Sequence, residues 1–160
     1  SSSGTNAPSW KRRGEENSSV DITLTVGRSN VIRDCENALS ELVPLMHDEF
    51  VCEHMLVASA ERDFQVAIQA ALDIGSIILA DQQVKLPKGY SNIFPALAEI
   101  GVLPADFAQR LVAMAKFRNV LVHLYLEVDL ALVYRYLQEN LDDADGFFRT
   151  IHVKGVIHAI

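Results

Sequence analysis

Apolar residues recur at helical spacing over most of this chain. Val31, Cys35, Leu39, Leu42 and Leu45 fall three or four apart and predict a helix over roughly 29–46, with Ser29 as its N-cap. After a segment that Asp48 can cap, the run HMLVASAERDFQVAIQAALDIGSIILADQ predicts a long helix over roughly 54–82. Leu86-Pro87-Lys88-Gly89-Tyr90 breaks the pattern. Ser91 is placed to cap a short helix over 92–100 that Gly101 ends, and Pro104 suits the first turn of a helix over 104–123. A turn over 124–128 follows, and Asp129 can cap a last helix over 130–150. Strand signal is confined to Val20-Asp21-Ile22-Thr23-Leu24-Thr25-Val26, and an isolated strand has nothing to pair with. The expected class is all-α, an antiparallel bundle of about five helices with short connections.

Three segments follow from the same pattern. Residues 1–27 read as a disordered or weakly structured tail, because the first 19 hold six serines and only Ala7 and Trp10 as apolar residues. Residues 28–150 form the helical domain. Residues 151–160, ending IHVKGVIHAI, read as a C-terminal tail, either a strand or a docked segment.

Composition narrows the function. A length of 160 residues suits one domain with a substantial core. No unbroken apolar run reaches the roughly 18 residues of a membrane span, so no membrane partner is expected. The first residues carry no apolar leader core. Two cysteines, Cys35 and Cys52, make no disulfide framework and read as core thiols, which suits a reducing cytoplasm. The net charge of −7 argues against holding nucleic acid by bulk charge. Lys11, Arg12 and Arg13 outweigh Glu15 and Glu16 in the tail, so the body is more acidic still. Any RNA contact must be local, and 107–126 is such a place: Arg110, Lys116 and Arg118 occur there with no acid.

The chemistry concentrates in Arg118-Asn119-Val120-Leu121-Val122-His123-Leu124-Tyr125. On a helical wheel Phe107, Leu111, Met114 and Leu121 make one apolar stripe, and Arg118 falls inside it. An arginine directed at apolar surroundings costs free energy unless something pairs with it. The ordinary explanation is a snorkelling side chain or a structural ion pair. His123 shares a face with Asn119 and lies in the last turn, where the helix dipole favours positive charge. A histidine near an arginine and a phenol is a candidate for acid–base work. Arg118 and His123 lie about 140° apart on one helix, so they converge poorly within one chain. A second copy related by two-fold symmetry can bring both sets into one cleft, which points to a homodimer. A second polar line, Arg62, Gln65, Gln69 and Asp73, runs along the long helix, with Asp73 placed to orient His123 or to pair with Arg118.

Other chemistries find little support. His47 and His54 are seven apart, but no further ligand completes a metal set, so no metal and no cofactor is expected. No glycine-rich phosphate loop occurs. Tyr134, Tyr136, Phe147 and Phe148 read as core rather than as a base-stacking platform.

FRNVLVHLY resembles the Arg-x4-His-x-Tyr motif of HepT-type HEPN proteins, the toxin halves of HEPN/MNT toxin–antitoxin pairs. ERDFQVAIQAALDIGSIIL is similar to the long helix of that family, GYSNIFPALAEIGVLP to its central turn and EVDLALVYRYLQENLDDADGFF to its last helix, so the resemblance covers roughly 28–150. It implies an all-helical homodimer with a metal-independent ribonuclease site between protomers. Arg118 and His123 would be the catalytic pair, supported by Asn119, Asp73 and Gln69. Tyr125 would be the tyrosine that a cognate MntA-type nucleotidyltransferase antitoxin modifies with AMP. The turn Leu124-Tyr125-Leu126-Glu127 is more apolar than the family pattern suggests. On this reading RNA supplies the 2′-OH nucleophile, so DNA is not cut. A reading of another class competes: a non-catalytic helical dimer or binding module that docks a nucleotidyltransferase, which the acidic body favours.

Overall fold

The computed structural model describes residues 19–123 and 130–153, with the side chains of 19–23 excepted. Among these are seven α-helices and one 3₁₀ turn, and no strand: α1 Ser19–Ser40, α2 His47–Val51, α3 His54–Asp81, a 3₁₀ turn Tyr90–Asn92 running into α4 Ile93–Glu99, α5 Ala105–Val122, α6 Leu130–Glu139 and α7 Asp143–Val153. The all-α class holds. The long helix α3 is central and packs against α1, α2, α4, α5, α6 and α7. It is long and apolar enough to cross a membrane by length and composition. Its apolar residues are instead spent on neighbours in the bundle: Phe64, Ile68, Leu72, Ile74 and Leu79 are buried in the shared core.

The first helix departs most from expectation. It begins at Ser19, so residues 19–27, expected as tail, are helix. The alternating stretch over 20–26 is helical for the same reason. The buried face of α1 runs Thr25, Ser29, Ile32, Cys35, Leu39, a helical spacing whose first two members are polar. Ser29 is therefore no cap; it sits mid-helix, and its hydroxyl donates to the Val26 carbonyl at 2.8 Å. Small hydroxyls satisfied by their own helix can be buried like apolar residues, which hides the period from a hydrophobicity count. Cys35 is buried as expected, and burial pushes its thiol up to about 11. Cys52 is exposed, contrary to its reading as a core thiol. It falls in the short link between α2 and α3, which places it at the surface.

The expected last helix is two. Asn140 interrupts it, its side-chain amide donating to Asp143 Oδ2 at 3.1 Å while the Asp143 N–H reaches the Asn140 carbonyl at 3.3 Å. Asn and Asp compete with the helical backbone in this way. The C-terminal helix reaches Val153, so 151–153, expected as tail, are helix too. Residues 1–18, the turn over 124–128 with Asp129, and 154–160 lie outside the described residues.

Two glycines position the site. Gly101 ends α4 at φ 85, with its N–H bonded to Ala98 and that of Val102 bonded to Leu97. This left-handed stop turns the chain into α5. Gly75 lets α4 close on α3: a Cβ there would lie 2.6 Å from Ile93 Cγ2 and 3.4 Å from Leu97 Cδ1.

Candidate active site

Leu111, Met114 and Leu121 of α5 are buried, and Phe107 is half-buried. Arg118 stands in this stripe as the wheel predicts, half-buried. Its Nε is fully buried without a hydrogen-bond partner among the described residues. Its Nη1 reaches Asn119 Oδ1 at 3.4 Å, and its guanidinium lies 5.1 Å from the centre of the Tyr90 ring. Among the described residues the side chain is thus held by an aromatic face rather than by a carboxylate.

Arg118 opens onto a groove of about 460 Å³ lined also by Arg28, Val31, Gln65, Val66, Gln69, Ala70 and Asp73. Three members of the polar line on α3 therefore meet the arginine of α5. The fourth, Arg62, is exposed and does not line the groove. Gln65 Nε2 donates to the Leu121 carbonyl at 3.1 Å, one of the helix-terminal carbonyls that lack an intrahelical partner. This bond ties the last turn of α5 to α3. Gln69 Nε2 donates to Asp73 Oδ1 at 2.9 Å, while Gln69 Oε1 is buried and unpartnered.

Asp73 does not pair with Arg118 or orient His123. Its Oδ2 accepts from Arg28 Nε at 3.3 Å. The sequence reading missed Arg28 because it stands just before the helix expected from 29. Its signal was the helical step from Thr25 and Arg28 to Ile32, legible only once two hydroxyl residues are counted as a buried face. Tyr90, in the break before α4, was missed as well.

His123 occupies the C-cap of α5 at φ −79 and ψ 78. It is exposed and does not line the groove. Arg118 and His123 are thus on one helix but not in one cleft within the chain, as the angle between them requires. Tyr125 lies outside the described residues. His47 bonds Asp48 at 3.2 Å and meets the Tyr134 ring edge-on. Tyr136, Phe147 and Phe148 are buried, as their reading as core requires.

The chain thus presents a buried stripe interrupted by an arginine, an open polar groove and a histidine at the helix end. The ribonuclease HepT-like family matches residues 32–151, and the chain belongs to that family. It is 28% identical over 103 residues to the mRNA nuclease HepT of Shewanella oneidensis, which covers 64% of this chain and 77% of that protein. It is 30% identical over 108 residues to the tRNA nuclease HepT of Aphanizomenon flos-aquae, covering 66% of this chain and 71% of that one. Among solved structures, it shares its fold with a tri-AMPylated Shewanella oneidensis HEPN toxin in complex with an MNT antitoxin. That likeness has a TM-score of 0.74 at 24% identity, over 81% of this chain and 97% of the other.

Proposed function

We propose that this protein is the endoribonuclease toxin of a type VII-like toxin–antitoxin pair, acting in the cytoplasm as a homodimer. The observation that carries this reading is Arg118: a guanidinium set in a core stripe, held on Tyr90, with a buried unpartnered Nε at the wall of an open groove. Among the described residues no carboxylate pairs with that charge, and an anion in the groove would meet the guanidinium that lines it. The family match and the named nuclease relatives support RNA as the anion.

The chemistry follows from residue types. The imidazole of His123 takes the proton from the ribose 2′-OH, and the 2′-oxygen attacks the adjacent phosphorus. The bond from phosphorus to the 5′-oxygen breaks. The leaving oxygen takes a proton from His123 of the partner subunit, giving a 2′,3′-cyclic phosphate and a 5′-hydroxyl. Arg118 holds the phosphate and stabilises the charge that builds on it in the transition state. Each step uses an imidazole, a guanidinium and the substrate's own hydroxyl, so activity persists in EDTA. A two-fold dimer supplies the convergence that one chain does not, because His123 lies away from the groove.

Tyr125, two residues after His123, is the site where a nucleotidyltransferase antitoxin attaches AMP. Added bulk and negative charge there oppose an RNA phosphate. The AMPylated state of the Shewanella oneidensis toxin supports this reading. The test is purified wild type against His123→Ala on RNA, with growth and RNA integrity scored in cells. Wild type cuts RNA but not DNA, and His123→Ala is folded and inactive. Full activity in His123→Ala sinks the mechanism. Absence of cleavage by wild type leaves the binding-module reading in its place. Mass spectrometry after co-expression with the antitoxin shows AMP on Tyr125; neutralisation with Tyr125 unmodified refutes that part.

A further inference from the structure

The groove holds a second arginine, and it lies outside the stretch that defines the family. Arg28 precedes the matched residues, which begin at 32. It lines the same groove as Arg118, from α1. Its side chain is 34% exposed and that of Asp73 39%, so the pair stands at the groove mouth rather than in the core. A half-exposed ion pair of this kind contributes little to stability. What it does is fix a geometry. Asp73 takes the Nε edge at 3.3 Å, and Nη1 reaches the Leu24 carbonyl at 3.4 Å. The Nη2 donors have no partner among the described residues. Gln69 holds the other oxygen of Asp73 at 2.9 Å, so the carboxylate cannot swing away from Arg28.

The charges of the groove are Arg28, Arg118 and the single acid Asp73, a local cationic site on a chain of net charge −7. Its volume, about 460 Å³, falls within the range of about 300–1,000 Å³ of small-ligand sites. We propose that Arg28 is a phosphate-binding residue of the RNA site, gripping a backbone phosphate other than the one that reacts at Arg118, with Asp73 as its positioning residue. The proposal rests on the ribonuclease reading for its substrate. A polyanion of repeating phosphates suits two guanidiniums carried by different helices better than a single small anion does, and Asp73 already takes the Nε edge of Arg28.

The test separates this from a structural ion pair. A fluorescent single-stranded RNA oligomer with 2′-fluoro riboses lacks the nucleophile and stays uncut. Its binding to wild type, Arg28→Met and Arg28→Lys is followed by anisotropy across a salt series. For a single strand, each phosphate contact contributes about 0.7 to the slope of log K against log salt. Arg28→Met should lower that slope by about 0.7 and weaken binding by about threefold to tenfold at moderate salt. Arg28→Lys should keep most of the slope. On cleavable RNA, Arg28→Met should raise KM and leave kcat nearly unchanged. An unchanged slope and affinity with only a lower melting temperature overturns the proposal. If wild type does not cut RNA, the ribonuclease reading fails, and the slope on the uncut oligomer still decides whether Arg28 grips phosphate.

Discussion

Two arginine–aspartate pairs in this bundle have the same chemistry and opposite circumstances. Arg110 and Asp143 join α5 to α7 at 2.7 Å, with Asp143 only 3% exposed. Burial pushes the Asp143 carboxyl up, and the Asn140 amide and the Arg110 guanidinium pull it back. The carboxylate is fully served, one partner on each oxygen. Arg28 and Asp73 meet at 3.3 Å, partly exposed, beside an Arg118 Nε and a Gln69 Oε1 that have no partner among the described residues. A buried carboxylate satisfied on both oxygens fixes the shape of a fold, even though Arg110 itself reaches to the surface. An open cluster with polar atoms unmatched among the described residues is where the proposed phosphate contacts fall. One loose end exists on the structural side: the Tyr136 hydroxyl is buried without a partner. Burial, with the Asp143 charge nearby, drives its ionisation upward, so it stays a neutral phenol stacked on Phe117 at 4.0 Å.

The sharpest way to break this contrast is to remove each charge and read both activity and stability. Arg118→Ala should cut the cleavage rate by about a hundredfold to a thousandfold with little change in melting temperature. Arg118→Lys should recover only part of it, since a point charge does not reproduce the planar fork. Asp143→Ala should do the reverse. It should lower the unfolding free energy by about 2 kcal/mol, or about 4–8 °C in Tm, and leave cleavage by the folded protein unchanged. Equal effects of the two substitutions on both readouts would erase the distinction.

A smaller effect tests how Arg118 is held. Tyr90→Leu removes the aromatic face at 5.1 Å and should lower cleavage about twofold to fivefold, the equivalent of about 0.5–1 kcal/mol. An unchanged rate would mean that the ring does not orient the guanidinium.

The smallest concerns the far side of α1. Glu36 Oε1 accepts the Asp145 N–H at 3.0 Å. Burial, with Asp145 and Asp142 nearby, pushes its carboxyl up from 4.5 to about 7, against the pull of the Asp145 N–H and of Arg149. A carboxyl whose folded value is raised contributes stability below 4.5 and loses it as the pH rises through about 7. Glu36→Gln keeps the acceptor and removes the titration. It should match wild type near pH 5 and melt slightly higher at pH 8; a variant that falls with pH as wild type does would show that Glu36 is not responsible.

How far the sequence could be read differs between the two regions. The stripe on α5 and the place of Arg118 within it followed from spacing alone, because the residues around it are strongly apolar and the period is unambiguous. So did Gln65, Gln69 and Asp73 as one face of α3. The partner of Asp73 did not follow. Arg28 stands 45 residues away in sequence, on a helix whose buried face starts with Thr25 and Ser29. Hydrophobic counting passes over such a face. The last helix was read as undivided for a related reason: the break at Asn140 depends on a side-chain bond to Asp143 and on the burial of Asp143 against Arg110.

The sequence by itself determined the all-α class, the long central helix and the place of Arg118 within the apolar stripe of α5. Those properties are local, set by periodicity and by residue type within a few turns. Only the tertiary structure decided which charges meet. It gave Asp73 to Arg28 instead of Arg118, set Arg118 on a groove with no carboxylate partner among the described residues, and put His123 at a helix end away from it. Ion pairs between helices depend on the packing of several elements at once, and one helix's pattern does not encode its neighbour's rotation.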